Sequence, residues 1–330
     1  AIECQDKHQN SSGEARSIYL SGTAAGRLNT EGETTAEENY ENYVKSFSKN
    51  YDQNEKQYRL YLKIKKEMSN HKHNADPNND YYREINEFSD LIKGIREANL
   101  SLNDIRLDKD ISIESLDHDF DSKLNISWIE HLPMVKDRGR CHADYAFAAV
   151  GAIEGMINIR NNCTVNHTSF SEQQIIIAAR SVQDAKVQQQ WLVTLQTTSS
   201  KLSGTSVNLG SKDSAYPYQN VKEDCKSNPN SERQKIGGYR LVKTFSGLLS
   251  AIKQGPVVVT VDARNWRDYA GGTYTNCGRK KNHLALLVGR TPEYFYVRNS
   301  WGRRWGERGY IRIGIGYTCG IASEAYVPEL

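Results

Sequence analysis

The chain has 330 residues, 38% hydrophobic content and a mean hydropathy of −0.70. That length holds two domains or one large domain with an appendage, and the low hydropathy predicts that part of it is polar and loosely packed. The 43 basic and 40 acidic residues leave a formal charge of +3, so nothing electrostatic points to nucleic acid or an anionic membrane as partner.

The opening AIECQDKHQN lacks the apolar stretch of a signal peptide, implying that any such peptide has been removed or was never there. Residues 1–34 are rich in Ser, Thr, Gly and Glu without an apolar period, and read as a disordered leader. Order is expected from Thr34 or Thr35, each followed three residues later by a glutamate, Glu37 or Glu38, in a capping-box pattern. Tyr40, Tyr43, Val44 and Phe47 then share one helix face, and Leu60, Ile64 and Met68 suggest a second helix. The Asn, Asp and Pro content of 70–80 predicts a loop, and 81–91 resumes structure. Residues 92–120 are charged and lack a period, as a linker does.

From about residue 121 the texture changes. Ala146, Ala149, Val150, Ile153 and Ile157 form an apolar stripe on a helix over about 144–160, and 169–180 reads as a shorter helix. Residues 256–263, 283–289, 294–301 and 309–315 are short β-rich runs separated by Gly-containing turns. A helical half followed by a β half predicts an α+β domain with two lobes. No apolar run reaches a membrane-spanning length.

Six cysteines, Cys4, Cys141, Cys163, Cys225, Cys277 and Cys319, contain no close CxxC pair, which argues against structural zinc. Asn10, Asn99, Asn125, Asn162 and Asn166 head N-x-S/T sequons, and with the cysteines they favour a secreted, oxidising setting. His142, Asp144 and His283 are conceivable metal ligands, but they lack HxxxH-type spacing, and neither metal nor cofactor is expected.

The segments VKDRGRC, YAFAAVGAIEG, SFSEQQ, AYPY, GPVVV, NHLALLVG and VRNSWGRRWGERGYIRI, spread over about 125–330, resemble the papain family of cysteine proteases. Upstream, NEFSD (Asn86, Phe88, Asp90) resembles the end of that family's inhibitory propeptide, although a glycine usual two residues before the Asn is Glu84 here. The resemblance implies a papain-like two-lobed α+β fold: a leader over 1–34, a propeptide-like helical segment over 35–95, a linker over 96–120 and the papain-like domain over 121–330. It also implies a disulfide between Cys277 and Cys319. Cys141 and Cys225 match family cysteines whose usual partners are replaced by Ala185 and Ala178, which leaves the pairing of Cys4, Cys141, Cys163 and Cys225 open.

In that family a cysteine at a helix N-terminus is the nucleophile, and a histidine, held by an asparagine, lowers its pKa. His283 matches the histidine, Asn299 the asparagine, and Trp301 the indole that covers their bond. The nucleophile position is Asp144. The oxyanion-hole glutamine position is Arg138, and Tyr145 replaces the tryptophan that usually follows the nucleophile. A carboxylate attacks amides poorly, so Asp144 is expected to draw Arg138 and protonated His283 into a static ion-pair cluster. The family's glycine shelf, on which a substrate backbone pairs, aligns with Ala185, Lys186, Val187 and Gln188, whose side chains obstruct that approach.

Outside this setting Asp144 is an ordinary helix-terminal acid, favoured by about 0.3–1 kcal/mol, His283 an ordinary core histidine and Arg138 a solvated charge. Within it, the implied function is that of a secreted, catalytically inactive papain relative acting by protein binding, without nucleic acid or membrane. The alternatives are a residual hydrolase with altered chemistry at Asp144 and His283, and a protease inhibitor acting through the propeptide-like segment.

Overall fold

The structure is a computed structural model, and it describes residues 36–90, 123–139, 143–165, 167–173, 175–176, 218–219 and 238–329. Helix α1 spans Ala36–Ser46 and α2 Gln53–Asn74, followed by strand β1, Tyr81–Arg83. Then come β2 (Ile126–Ser127), α3 (Asp144–Arg160), β3 (Gly238–Val242) and α4 (Phe245–Ile252). The rest is β: β4 (Val257–Val261), β5 (Tyr269–Tyr274), β6 (His283–Arg290), β7 (Tyr294–Arg298), β8 (Tyr310–Gly314) and β9 (Ala325–Glu329).

These strands form one sheet in the order β1-β5-β8-β7-β6-β4-β9-β3, with β2 paired to β6. Only β5 and β8 run parallel among the described pairs. The central strand β6 is buried along its whole length, and its side chains alternate between two cores. Leu284, Leu286 and Val288 face α3, together with Ala149, Val150 and Ile153. Ala285 and Leu287 face a second core with Leu248 and Ile252 of α4, Trp266 and Trp305.

Helix α3 carries more than the expected stripe. Ala146 to Ala152 are all buried, so the helix is enclosed on nearly every side, as an all-apolar composition requires. Full burial of a residue such as Ile153 contributes about 1.5–3 kcal/mol. The close approach depends on Gly155, where a Cβ would lie 2.6 Å from a ring carbon of Pro256.

The N-terminal segment docks by adding a strand. Tyr81 of β1 pairs with Gly272 of β5, and Tyr81 and Phe88 are buried in the second core. Gly272 has φ +91°, and a Cβ there would meet the Asp80 carbonyl oxygen at 2.4 Å. Lys66 reaches Asp268 at 2.6 Å, and the Asn86 side-chain amide donates to the Arg267 carbonyl at 2.8 Å.

Two expectations change here. Helix α2 continues through Asn74, so the first five residues of the expected loop over 70–80 are helical. Met68, expected on a packed face, is 70% exposed. The expected leader, the linker and most of the helix over 169–180 lie outside the described residues.

Candidate functional site

Asp144 is the first residue of α3, and the residue before it, Ala143, supplies no side-chain cap. The carboxylate therefore sits at the positive end of the helix, where the unpaired N–H groups lie. It is fully buried and turns toward β6. Its Oδ2 accepts the backbone N–H of Leu284 at 2.8 Å and lies 3.0 Å from Nδ1 of His283. That Nδ1 contact is close but misaligned, a short polar contact rather than a straight hydrogen bond.

His283 opens β6, whose register places it opposite Val261, and it too is fully buried. Its Nε2 donates to Oδ1 of Asn299 at 2.9 Å, and the same oxygen accepts the Ser300 N–H at 2.8 Å. Both ring nitrogens thus face oxygens, Nε2 in a hydrogen bond and Nδ1 in a close, misaligned contact. Trp301 lies against the ring at 5.4 Å between centroids, and Trp266 stands edge-on at 6.1 Å.

Burial alone pushes the Asp144 carboxyl up. The His283 ring, the charge of Arg138 and the Leu284 N–H together outweigh it and hold the group below the usual carboxylate range. Arg138 is 2% exposed, and its backbone spans Ser300 (N–H to carbonyl, 3.0 Å) and the Tyr218 hydroxyl (to its own carbonyl, 2.7 Å). No ion pair among the described residues joins it to Asp144. The expected three-member cluster is therefore a contact pair of Asp144 and His283, with Arg138 acting through its field.

An aspartate so held is a locked anion: Oδ2 accepts one hydrogen bond and has the His283 ring against it, and Oδ1 has no hydrogen-bond partner among the described residues. The arrangement ties α3 to β6. Ala185, Lys186, Val187 and Gln188 lie outside the described residues, as do Cys141 and His142.

Residues 119–329 match the family model described as papain family cysteine protease. The chain belongs to the papain family of cysteine proteases. Papain of Carica papaya is 30% identical over 268 residues, covering 77% of this chain and 71% of that protein. A cathepsin L 2 of Paramecium tetraurelia is 28% identical over 256 residues, covering 76% of this chain and 78% of its own length. Among solved structures, digestive procathepsin L 3 of the Tenebrio molitor larval midgut superposes with a TM-score of 0.73 at 26% identity, over 90% of this chain and 100% of that one. The fold is thus a papain-like α+β fold that includes a propeptide.

Further family features fall into place. Cys277 and Cys319 form a disulfide with Cα atoms 5.1 Å apart, the pairing the resemblance implied. Cys163 is also disulfide-bonded, to a partner outside the described residues, where Cys4, Cys141 and Cys225 lie. Of the sequon asparagines, Asn125 and Asn162 are exposed, while Asn10, Asn99 and Asn166 lie outside the described residues.

One charged group escaped the sequence reading. Lys136 contacts Glu172 at 2.9 Å and Glu154 at 3.7 Å beneath α3. Burial pushes Glu154 up, and burial, against the pull of Lys136, moves Glu172 up to about 7. Glu154 interrupting an otherwise apolar helix was the available signal, since a buried acid needs a cation. Lys136, Glu172, Arg298 and Ser300 border a cavity of about 10 Å³, room for a single water, that Leu284 and Asn299 also line.

Proposed function

We propose that this chain is a catalytically silent member of the papain family that acts by binding protein. The observation that carries the reading is the buried carboxylate of Asp144 at the head of α3, held by Leu284 N–H and facing His283. A carboxylate is a weak nucleophile toward an amide, and the mixed anhydride it would form reverts readily. Its negative charge also opposes the oxyanion that a neighbouring donor must stabilise. The histidine, asparagine and indole that would serve a thiolate instead hold a static ion pair.

Secretion fits the same reading. Two cysteine sites in the described part are oxidised, and two sequon asparagines are exposed. Segment 35–95 acts as a lasting propeptide-like layer on the domain, since a silent site does not cut it away. The role is that of a decoy, a ligand that sequesters protease inhibitors, or a host-interaction factor.

The test is turnover. The purified chain, freed of segment 35–95 by an added protease, is assayed on peptide and ester libraries beside an Asp144→Ala variant. No turnover above buffer in either is expected. Turnover abolished by the substitution would show a hydrolase with altered chemistry instead.

A further inference from the structure

Among the described residues, nothing covers the outer face of helix α2. Tyr58, Tyr61, Lys65, Met68 and Lys72 recur at spacings of three and four, which puts them on one side of the helix over about 21 Å. Tyr58 is 48%, Tyr61 56% and Met68 70% exposed, and Lys65 and Lys72 are exposed as well. The opposite side does the packing, with Lys63 and Asn70 buried.

Most cations off the stripe are paired, Lys56 being the exception among the described residues. Arg59 pairs with Glu55, Lys63 with Glu67 and Lys66 with Asp268. Lys65 and Lys72 have no ion-pair partner among the described residues, and Lys65 instead lies 5.9 Å from the Tyr61 ring centroid. The stripe therefore offers two aromatic rings, a thioether and two uncompensated ammonium groups, with no acid between them. Aromatic residues and methionine are what the buried centre of a protein interface uses.

We infer that this face docks an acidic protein segment carrying apolar anchor residues, an assignment that rests on the binding function proposed above. Charge decides among occupants. A second copy would bring the same ammonium groups against each other. Two lysines are too few for nucleic acid, where binding neutralises several phosphates. They are also too few for stable membrane anchoring, where each contributes only about 1 kcal/mol. An acidic segment matches both lysines and fills the gaps between Tyr58, Tyr61 and Met68.

The experiment selects a displayed random peptide library on the full-length chain and measures one synthetic selected peptide on variants. Selected peptides are expected to combine Asp or Glu with an aromatic or aliphatic anchor. Lys65→Glu and Tyr61→Ser are each expected to weaken binding about tenfold or more. Lys56→Glu, on the other side of α2, should leave binding unchanged, and all three variants should melt like the parent. No enrichment, or peptides that bind Lys65→Glu and Tyr61→Ser as tightly as the parent, overturns the inference; the latter leaves the general binding function standing. Stripe-dependent dimerisation in sedimentation, or stripe-dependent binding to phosphatidylserine vesicles, overturns it in favour of those occupants. Peptide hydrolysis by the purified chain bears on the silent site and not on this face.

Discussion

Asp144 and Leu284 lie 140 positions apart, yet the Leu284 N–H donates to Asp144 Oδ2 at 2.8 Å. One side chain thereby ties the head of α3 to the first turn of pairing in β6. Removing it leaves the buried Leu284 N–H without an acceptor and His283 Nδ1 without the oxygen it faces. We expect Asp144→Ala to lower unfolding free energy by about 2–4 kcal/mol, read from urea denaturation. A neutral effect would mean that the pair contributes nothing to the fold.

Because its folded pKa is depressed, Asp144 adds stability that is complete above the unfolded carboxylate value and is lost as pH falls through the folded one. The parent should therefore lose stability on acidification below about pH 4. Asp144→Asn should flatten that limb. Thermal melts across the acid range check this directly.

Glu172 works in the opposite sense. Its folded pKa rises from 4.5 to about 7, so the folded state keeps a proton that the unfolded chain has released. Stability attributable to it falls as pH rises through that window and is level above it. Glu172→Gln is expected to remove this decline between about pH 5 and 7, measured by the same melts. A parallel decline in the variant would place the titration elsewhere.

The N-terminal layer hangs on Gly272 and Asp90. Asp90 is fully buried and accepts hydroxyl groups from Tyr43 at 2.9 Å and Tyr51 at 2.8 Å, while Arg59 donates to its carbonyl at 3.0 Å. Gly272→Val places a branched side chain where the Asp80 carbonyl stands. It is expected to detach β1 and expose α1 and α2 to trypsin, with the disulfide-bonded β region still resistant. Asp90→Ala should cost about 1–3 kcal/mol and show the same pattern more weakly.

Much of this was legible before any coordinates. The strands β4, β6, β7 and β8 announced themselves as short β-rich runs separated by Gly-containing turns, and α3 as an apolar run with helical spacing. What sequence reasoning missed were tertiary decisions. The end of α2, His-Lys-His-Asn, has poor helix propensity, but Asn74 pairs with both backbone groups of Arg83, His73 packs on Tyr81 at 4.5 Å, and the basic last turn suits the helix C-terminus. Met68 fitted the apolar period and is exposed, because nothing in a single sequence says which side of a helix will find a neighbour. Around the site, His283, Asn299 and Trp301 were readable from the resemblance. The part played by a backbone N–H at Leu284 was not, since backbone donors carry no residue signature.

Asp144→Cys is expected to restore little or no peptidase activity on peptide substrates. Arg138 would still occupy the position that aligns with the family's oxyanion donor, and Ala185, Lys186, Val187 and Gln188 would still stand where the family's glycine shelf aligns. Robust cleavage by this single variant would show that the rest of the cleft is intact.

The most direct measurement is treatment of the native chain, with and without segment 35–95, with an epoxide probe specific for thiol-protease active sites, followed by peptide mass mapping. No adduct on α3 or the loop leading into it is predicted at any pH across the acidic and neutral range. A stoichiometric adduct there would contradict the account.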